Sequence, residues 1–488
     1  MTHVRRPGRL LGSLAVLAAA SAVCAASTPA ASAEVAMSTT TQQVPLPGGF
    51  PGGWAMYATG AEHNPVFSGG NNTAVQAGYS WNFQQDGAIP LNGPAKDQSV
   101  LGLRGAPVKT TQFLGDSVGV SAVSGLIFSE SDLGYLYAIN AATGKLVWRA
   151  QGDNAFMGNP VVENGVVVAG TGDTGFSFAS VQKYVKHQPV VRGIGWSAVY
   201  GFDQRTGKQL WRVPTVGEDM SSVGYHAGLV FEGTGDGHLI ALNIRTGARV
   251  WTTTLGGFDS MSSAAVVGNT IYVGFSDPNY LYAVNATTGA VLWKQTVVGV
   301  ANTGMGDNSP SADPGRGLVI QDSVVDADPV TKTMNLEVFA VDAKTGALKW
   351  QTKLGRGGSP PAYKAGITMI HNGFVYVGSP ATSTFYKIEE LHGQVVWQFK
   401  IPGAGPAGAG RGGAVFYHGV VWLAAGPRIY AINQRTGAVL SSVVGGGRYG
   451  IVNPVIVGGT MYLANSWGWT QAVPLSKIFP AWRSYWGS

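Results

Sequence analysis

One short motif recurs along this chain and constrains its fold more than any other feature. It reads Ala-Xaa-Asn/Asp-Xaa-Xaa-Thr-Gly, with a Trp four positions after the Gly. Full copies occur at 138–148, 241–251, 283–293 and 340–350. Degenerate copies occur at 201–211, 389–397 and 431–441. A motif that returns at such a period indicates one supersecondary unit copied many times along the chain.

Each copy has the pattern of two strands joined by a tight turn. In the first copy the alternating residues 135–139 predict a strand, 140–144 predict the turn, and 145–149 predict a second strand. Asn140 is expected to bond its own backbone, and Gly144 to supply a positive φ. Two more short strands precede each pair, and four strands per repeat are typical of a β-propeller blade. We expect each Trp ring to pack on the neighbouring blade, with its indole N–H bonded to a backbone carbonyl.

The count of blades depends on both ends of the repeat region. Seven copies supply seven blades, and an eighth begins at 451–459 but lacks an outer strand. The segment Gly78–Gln84, which contains Trp81, has the pattern of that missing strand. We therefore predict an all-β fold, an eight-bladed β-propeller of four-stranded antiparallel blades over residues 78–475, closed by an N-terminal outer strand. Residues 34–77 form a lead segment, and the aromatic tail 476–488 either caps the barrel or forms a homodimer contact.

Residues 1–33 have the pattern of an export signal. Arg5 and Arg6 precede an apolar run at 10–22, and Ala-Ser-Ala at 31–33 is typical of a signal-peptidase site. We expect an exported protein, periplasmic, at the cell surface or extracellular, by either the general or the twin-arginine route. Cys24 lies within the signal, so the exported chain would form no disulfide, c-type haem attachment or thiolate metal site. No later run is long enough to predict membrane insertion.

The charge of the chain bounds its partners. The formal net charge of +6 falls to +3 without residues 1–33, which is too small to indicate nucleic-acid binding. Charged residues make up 12% of the chain, against about 25% in an average protein. Two interpretations stand side by side. One is an ordinary exported β-protein rich in small residues, and the other is a protein of an acidic habitat with few carboxylates to protonate.

The segments that enter the predicted hub carry unequal charge. Function in propellers concentrates on this rim, because loops from every blade meet there. Blades 1 to 5 bring the acidic residues Asp116, Asp153, Asp219, Asp259 and Asp307. Blades 6 to 8 bring the basic residues Arg356, Lys364, Arg411 and Arg448. A cationic side of the funnel would attract a small anionic substrate, and the alternative is that these are solvated rim charges.

Two carboxylates depart from the repeat in the second strands. Aligning 317–322 with 270–275 and 374–379 places Asp322 where the repeat has a small residue, and Glu130 occupies the same column in blade 1. Burial at the end of an apolar strand raises the pKa of a carboxyl group and suits proton transfer. The structural alternative is a hydrogen bond to a loop amide. Asp322 and Glu130 are therefore the candidate catalytic residues.

Methionines also recur in the hub segments, whereas histidines are scattered. Met157, Met220, Met261 and, with one residue of slippage, Met305 follow each other in four blades. They either pack the inner strands or contact a soft ligand. The histidines have no ligand spacing, so we expect no catalytic metal cluster.

The repeat resembles that of the pyrroloquinoline-quinone-type β-propellers over residues 78–475. Among these, the quinoprotein alcohol dehydrogenases bind the quinone with calcium, and their metal-binding Glu would fall on Thr174. They commonly carry an adjacent cysteine pair that this chain lacks. Outer-membrane assembly lipoproteins use the same repeat as a non-enzymatic scaffold. These two branches are the alternative readings.

The third branch, the tetrathionate hydrolases of acidophiles, is similar in length and export. That resemblance implies a secreted hydrolase that converts tetrathionate to thiosulfate, sulfate and sulfur at acid pH, in the central funnel and without a cofactor. Arg356, Arg411 and Arg448, with Asp307, would bind the substrate. Asp322 or Glu130 would transfer the proton. The insert 174–196 is a candidate lid over the funnel.

Overall fold

Strand pairing shows a propeller of eight blades. In the structure, a computed structural model, the described residues are 78–86, 88, 98–101, 107–110, 119–172, 191–193, 197–300, 305–328, 330–358, 366–403 and 410–485. The predicted signal and lead segment, most of the predicted lid, and the predictions on Asp116, Thr174 and Lys364 lie outside the described residues.

The strands follow each other in the order that the repeat predicts. The chain first forms β1 (Trp81–Gln84), β2 (Gln98–Leu101) and β3 (Pro107–Thr110). Blades 1 and 2 contain β4 (Val120–Val123), β5 (Leu126–Glu130), β6 (Tyr135–Asn140), β7 (Leu146–Gln151), β8 (Ala155–Phe156), β9 (Val161–Glu163), β10 (Val166–Gly172), β11 (Ser197–Asp203) and β12 (Gln209–Thr215). Blades 3 and 4 contain β13 (Gly224–His226), β14 (Leu229–Gly233), β15 (His238–Asn243), β16 (Arg249–Thr254), β17 (Ala265–Val267), β18 (Thr270–Phe275), β19 (Tyr280–Asn285) and β20 (Val291–Gln295).

The second half of the ring repeats the pattern with longer strands in two blades. Blades 5 and 6 contain β21 (Ser311–Asp313), β22 (Leu318–Asp328), β23 (Thr333–Asp342), β24 (Leu348–Gly358), β25 (Met369–His371), β26 (Phe374–Ser379), β27 (Thr384–Glu389) and β28 (Val395–Lys400). Blades 7 and 8 contain β29 (Ala414–Tyr417), β30 (Val420–Asn433), β31 (Val439–Tyr449), β32 (Val455–Val457), β33 (Thr460–Asn465) and β34 (Trp469–Pro474). A 3₁₀ turn at Met305–Asp307 and a short helix, α1 (Leu475–Ile478), complete the described elements.

The sheets close the ring as predicted. Blades 1, 3, 4, 5 and 6 are four-stranded and antiparallel in chain order. In blade 2 the strand β10 pairs with β9 near its start and with β8 at its end, and in blade 7 the strand β30 pairs first with β29 and then with β31. Blade 8 is completed by β1, with Trp81 opposite Ala472 and Gln84 opposite Trp469. The N-terminal strand therefore closes the propeller.

Contacts of the motif Trp join seven of the eight blades to the next. The indole N–H of Trp350 donates to the carbonyl of Glu390 at 2.7 Å, and that of Trp81 donates to the carbonyl of Ala141 at 2.9 Å across the closure. Five more Trp residues make the same bond: Trp148, Trp211, Trp251, Trp293 and Trp397. The predicted role of the Trp is confirmed, and this bond accounts for its place in every repeat that retains it.

The Gly of the motif is fixed by the same contact. Gly144 has φ 68°, and a Cβ added there would lie 2.7 Å from the Trp81 ring. Gly393 shows the same pattern, with a Cβ position 2.5 Å from the Trp350 ring. Both the left-handed backbone and the space under the indole therefore require Gly.

The C-terminal tail packs against blade 7. Trp482 is 1% exposed, and its ring contacts those of Tyr417 and His418. The amide of Asn433 donates to the hydroxyl of Tyr485. The described part of the tail therefore packs on the propeller, and the expected homodimer contact stays a prediction. In the part of the chain that the structure describes, no helix has both the length and the apolar character needed to cross a bilayer.

Candidate active site in the central funnel

A pocket opens on the axis of the propeller. Segments that precede the inner strands of six blades line it: Met220, Ser222, Met261, Ser263, Asp307, Ser309, Gly366, Ile367, Arg411 and Ile451. Only the axis of the ring brings six blades together. The space is about 340 Å³ including the part open to solvent.

The wall of the pocket divides by chemistry. Asp307 and Arg411 supply charge, and three serines supply hydroxyl groups. Ile451 packs with Met261 and Ile367 to form an apolar part. A pocket with this wall fits an anion that also carries an apolar, polarisable portion.

Strand register corrects the predicted alignment by one residue. Ile320 pairs with Ala340, and Tyr376 pairs with Lys387, so Asp322 is level with Gly378 rather than with Ser379. Glu130 is at the same level in blade 1, two residues after the partner of Ala138. The second strands of blades 2, 3 and 4 place Gly170, Gly233 and Gly274 at this level, and that of blade 8 places Ala464 there. Asp322 and Glu130 thus stand at a level that holds Gly in blades 2, 3, 4 and 6, whereas the sequence alignment indicated only a small residue.

The reason for Gly at this level is the hub segment of the next blade. A Cβ added at Gly378 would lie 1.9 Å from the carbonyl oxygen of Gly410, and one at Gly274 would lie 2.1 Å from that of Met305. Where the level holds Asp322, the segment instead presents an N–H, and Gly366 donates to Asp322 Oδ2 at 2.9 Å. The hydrogen bond to a loop amide, which is the structural alternative to a catalytic role, is therefore present at one of the two oxygens of Asp322.

The other oxygen of Asp322 is placed for proton chemistry. The side chain is fully buried, and Oδ1 has no hydrogen-bond partner among the described residues. Burial raises the pKa of Asp322 to about 7, opposed by the Gly366 N–H and the Arg411 charge and assisted by Asp307. Asp322 does not itself line the pocket, but its carboxylate touches Gly366, which does. It lies one layer behind the pocket wall.

Arg411 and Asp307 lie together with Asp322. Burial lowers the pKa of Arg411 to about 10, while Asp307 and Asp322 raise it, so the guanidinium keeps its charge across acid and neutral pH. Asp307 is 6% exposed and ends the 3₁₀ turn at Met305–Asp307. Two predicted substrate-binding residues and one predicted catalytic residue are thus brought together at the hub.

Two amide side chains, which the sequence reasoning missed, hold this group in place. Gln321 Nε2 donates to the carbonyls of Met305 at 3.1 Å and Asn308 at 2.7 Å. Asn308 Nδ2 donates to the carbonyl of Asp322 at 3.0 Å. These bonds fix the turn that carries Asp307 against the strand that carries Asp322. A polar residue in an otherwise apolar strand was the signal available at Gln321.

The remaining predicted binding residues lie elsewhere. Arg356 is exposed on the long strand β24, where its Nε donates to Thr333 Oγ1 at 2.9 Å. Arg448 is half-buried at the end of β31, and its carbonyl accepts the N–H of Ser466. Neither lines the pocket. Of the basic residues predicted to bind the substrate, Arg411 therefore lines the pocket, and Arg356 and Arg448 do not.

Glu130 belongs to a second buried group. Burial raises its pKa to about 8, and the N–H of Gly158 opposes this shift. Three further buried carboxylates, Glu232, Asp219 and Asp259, also have pKa values raised well above normal by burial. The charge of Glu130 contributes to the raised pKa of Glu232. This group lies in blades 1 to 4, and none of its members lines the pocket.

Of the recurring methionines, two line the pocket and a third packs in the hydrophobic core. Met220 and Met261 line the pocket four residues before the inner strand of their blades. In blade 5 that position holds Asp307, so Met305 falls out of register and packs in the core beside Val325 and Phe339. Among the described residues no group of three His, Cys, Asp or Glu is arranged to hold a metal ion.

Comparison with known proteins matches this chain to a family of propeller repeats and to two tetrathionate hydrolases. The family model described as outer membrane protein assembly factor BamB matches residues 96–184, 195–379 and 280–465. The tetrathionate hydrolase of Acidithiobacillus ferrooxidans is 39% identical over 88% of this chain and 87% of its own length. That of Acidianus ambivalens is 35% identical over 90% of this chain and 86% of its own. The crystal structure of BamB from Moraxella catarrhalis has a TM-score of 0.53 at 16% identity, over 75% of this chain and 98% of that one, which supports the fold.

Proposed function

Since the chain belongs to the BamB-type propeller repeat family and, within it, to the tetrathionate hydrolases, we propose that it is an exported enzyme that hydrolyses tetrathionate at acid pH in the central funnel. The products are thiosulfate, sulfate and sulfur. The reaction needs neither quinone nor a metal in this proposal. The main support for this proposal is the position of Asp322, which is buried beside Arg411 and directly behind a pocket on the axis.

The pocket suits the shape and charge of tetrathionate. The substrate is a dianion with a sulfonate at each end and two soft sulfur atoms between them. Arg411 binds one sulfonate through charge-assisted hydrogen bonds, and Asp307 orients the guanidinium. Met220 and Met261, with Ile451, contact the central sulfurs.

The proposed step breaks the central S–S bond. The oxygen of water attacks one central sulfur, and thiosulfate leaves with the electron pair of the broken bond. The other fragment is HO–S–SO₃⁻. Its hydroxyl group then moves to the sulfonate sulfur while the S–S bond breaks with its electron pair left on the outer sulfur, which gives hydrogensulfate and one sulfur atom. Thiosulfate takes up a proton as it leaves, and the attacking water releases one to solvent.

Asp322 supplies the proton to the leaving thiosulfate. Gly366 occupies Oδ2, so the acid proton is carried by Oδ1. With a pKa of about 7 the group is protonated throughout the acid range, as a general acid must be. Because the carboxyl group lies behind Gly366, one water relays the proton into the pocket. Glu130 is outside the pocket wall, so the proposal gives it no part in the reaction.

The test is thiosulfate release from tetrathionate by the purified protein at acid pH, without added quinone or metal. Asp322→Asn is expected to lower kcat by a factor of at least about a hundred. Glu130→Gln is the matched control, because it removes a buried carboxylate from the same level of another blade, and it is expected to retain activity. Fluorescence of the Trp residues checks that both variants are folded.

Three other results would count against the proposal. Turnover that needs quinone, calcium and an electron acceptor would indicate a dehydrogenase. No turnover together with a stable protein partner would indicate a scaffold. Equal losses in Asp322→Asn and Glu130→Gln would show that activity depends on any buried carboxyl group at this level, rather than on proton transfer at the hub.

A further inference from the structure

Three pocket serines occupy the same position in consecutive blades. Ser222, Ser263 and Ser309 each lie two residues before the inner strand of blades 3, 4 and 5. The N–H of Ser222 donates to Ser263 Oγ at 2.9 Å, and the N–H of Ser263 donates to Ser309 Oγ at 3.0 Å. The hydroxyl groups of Ser263 and Ser309 therefore have a structural role, because each accepts a backbone N–H from the preceding blade.

Ser222 is the exception in this series. In blade 2 the corresponding residue is Asn159, whose Nδ2 donates to Ser121 Oγ at 2.9 Å. The hydroxyl of Ser222 has no hydrogen-bond partner among the described residues, and the side chain is 3% exposed. A buried hydroxyl without a partner destabilises a protein, so its presence in a pocket wall indicates a ligand atom as the partner.

The position of Ser222 in the ring identifies which part of a ligand it meets. Ser222 precedes blade 3 and Arg411 precedes blade 7, so the two lie on opposite sides of an eight-bladed ring. Met261 and Ile451 are among the apolar residues between them. A ligand that reaches both sides therefore has a hydrogen-bond acceptor at each end and a soft middle.

We propose that the Ser222 hydroxyl donates a hydrogen bond to the sulfonate at the end of the substrate remote from Arg411. This inference rests on the proposed function and deepens it, because it assigns a separate binding residue to each end of the dianion. A neutral donor on one side and a guanidinium on the other also make the pocket asymmetric. The two ends of a symmetric substrate are thereby distinguished.

The test compares binding of two probes in the Asp322→Asn protein, whose turnover is expected to be slowed at least about a hundredfold. Adding Ser222→Ala is expected to weaken tetrathionate binding roughly tenfold, the loss of one hydrogen bond to a charged group. Binding of thiosulfate, which has a single sulfonate for the Arg411 side, should change less than twofold. Calorimetric titration measures both.

Ser309→Ala is the matched control for a structural role. It removes the acceptor of the Ser263 N–H and should lower the melting temperature, whereas Ser222→Ala should not. If tetrathionate binding is unchanged in Ser222→Ala while the wild type hydrolyses tetrathionate, the inference is wrong and the function stands. Equal weakening of both probes also overturns the inference. If the wild type neither binds nor hydrolyses tetrathionate, the proposed function fails first.

Discussion

Replacing Glu130 by Gln is expected to stabilise the propeller at neutral pH and leave it unchanged in acid. The folded protein holds this carboxyl group fully buried, with a pKa raised by burial from 4.5 to about 8. A group whose pKa is higher in the folded than in the unfolded chain contributes its full stability below the unfolded pKa. That contribution is lost as the pH rises toward the folded value.

The magnitude follows from the size of the shift. One pKa unit corresponds to about 1.36 kcal/mol, so wild-type protein loses about 3 kcal/mol through this group between pH 4.5 and 7. Gln keeps an acceptor for the Gly158 N–H and carries no proton that can be lost. For a propeller of about 400 residues, 3 kcal/mol corresponds to roughly 4 °C in melting temperature.

The assay is thermal unfolding, followed by Trp fluorescence, at pH 3, 5 and 7. The melting temperature of Glu130→Gln should equal that of the wild type at pH 3 and exceed it by about 4 °C at pH 7. Asp342→Asn is a control of opposite sign, because hydrogen bonds to Lys349 and Thr345 lower the pKa of Asp342 to about 2. Its folded-state contribution is present above pH 4 and lost below about 2. Asn is the native residue at this turn position in other repeats, such as Asn140.

A melting temperature for Glu130→Gln that differs from the wild type by the same amount at every pH would refute the reasoning. It would mean that Glu130 contributes through packing and not through its ionisation. A lower melting temperature only at pH 7 would show that the carboxylate is charged and stabilised in the folded protein, which is opposite to the environment described above.

Three further outcomes are expected. Arg411→Gln should raise KM for tetrathionate tenfold or more, because one sulfonate loses its charged partner, and steady-state thiosulfate release measures this. Trp350→Ala should lower the free energy of unfolding by about 3 to 5 kcal/mol in urea titrations, since the ring and its bond to the Glu390 carbonyl are both lost. A chain that starts at residue 88 lacks β1 and the bond from Trp81 to the Ala141 carbonyl. It should be cleaved by proteases far faster than the full chain, because blade 8 is then open.

The ring could be predicted from the sequence because its contacts repeat. Each Trp, each Thr-Gly turn and the closing strand at Trp81 obey one rule, and one copy suffices to interpret the others. Asp322 was found as a departure from that rule, although the alignment was one residue out. The error arose at the start of the strand, because the alignment matched Gly317 with Phe374, whereas β22 begins at Leu318, and Leu318 pairs as Phe374 does.

The rest of the site depends on relations between blades that no single repeat contains. Arg356 was expected at the hub, but the extension of β24 carries it outward to Thr333. Asp307 takes the position of a methionine because the 3₁₀ turn at Met305–Asp307 shifts the register. Ser222 differs from its two equivalents because no N–H of the preceding blade donates to its hydroxyl. Such features follow from packing in three dimensions and leave no periodic signal.

The pH dependence of thiosulfate release from tetrathionate by the wild-type protein tests whether Asp322 is the proton donor. We expect kcat/KM to be constant in the acid range and to fall tenfold per pH unit above about 7, as Asp322 loses its proton. Unchanged Trp fluorescence over the same range shows that the fold persists. A rate that rises through pH 7, or no thiosulfate at any pH, would contradict the account.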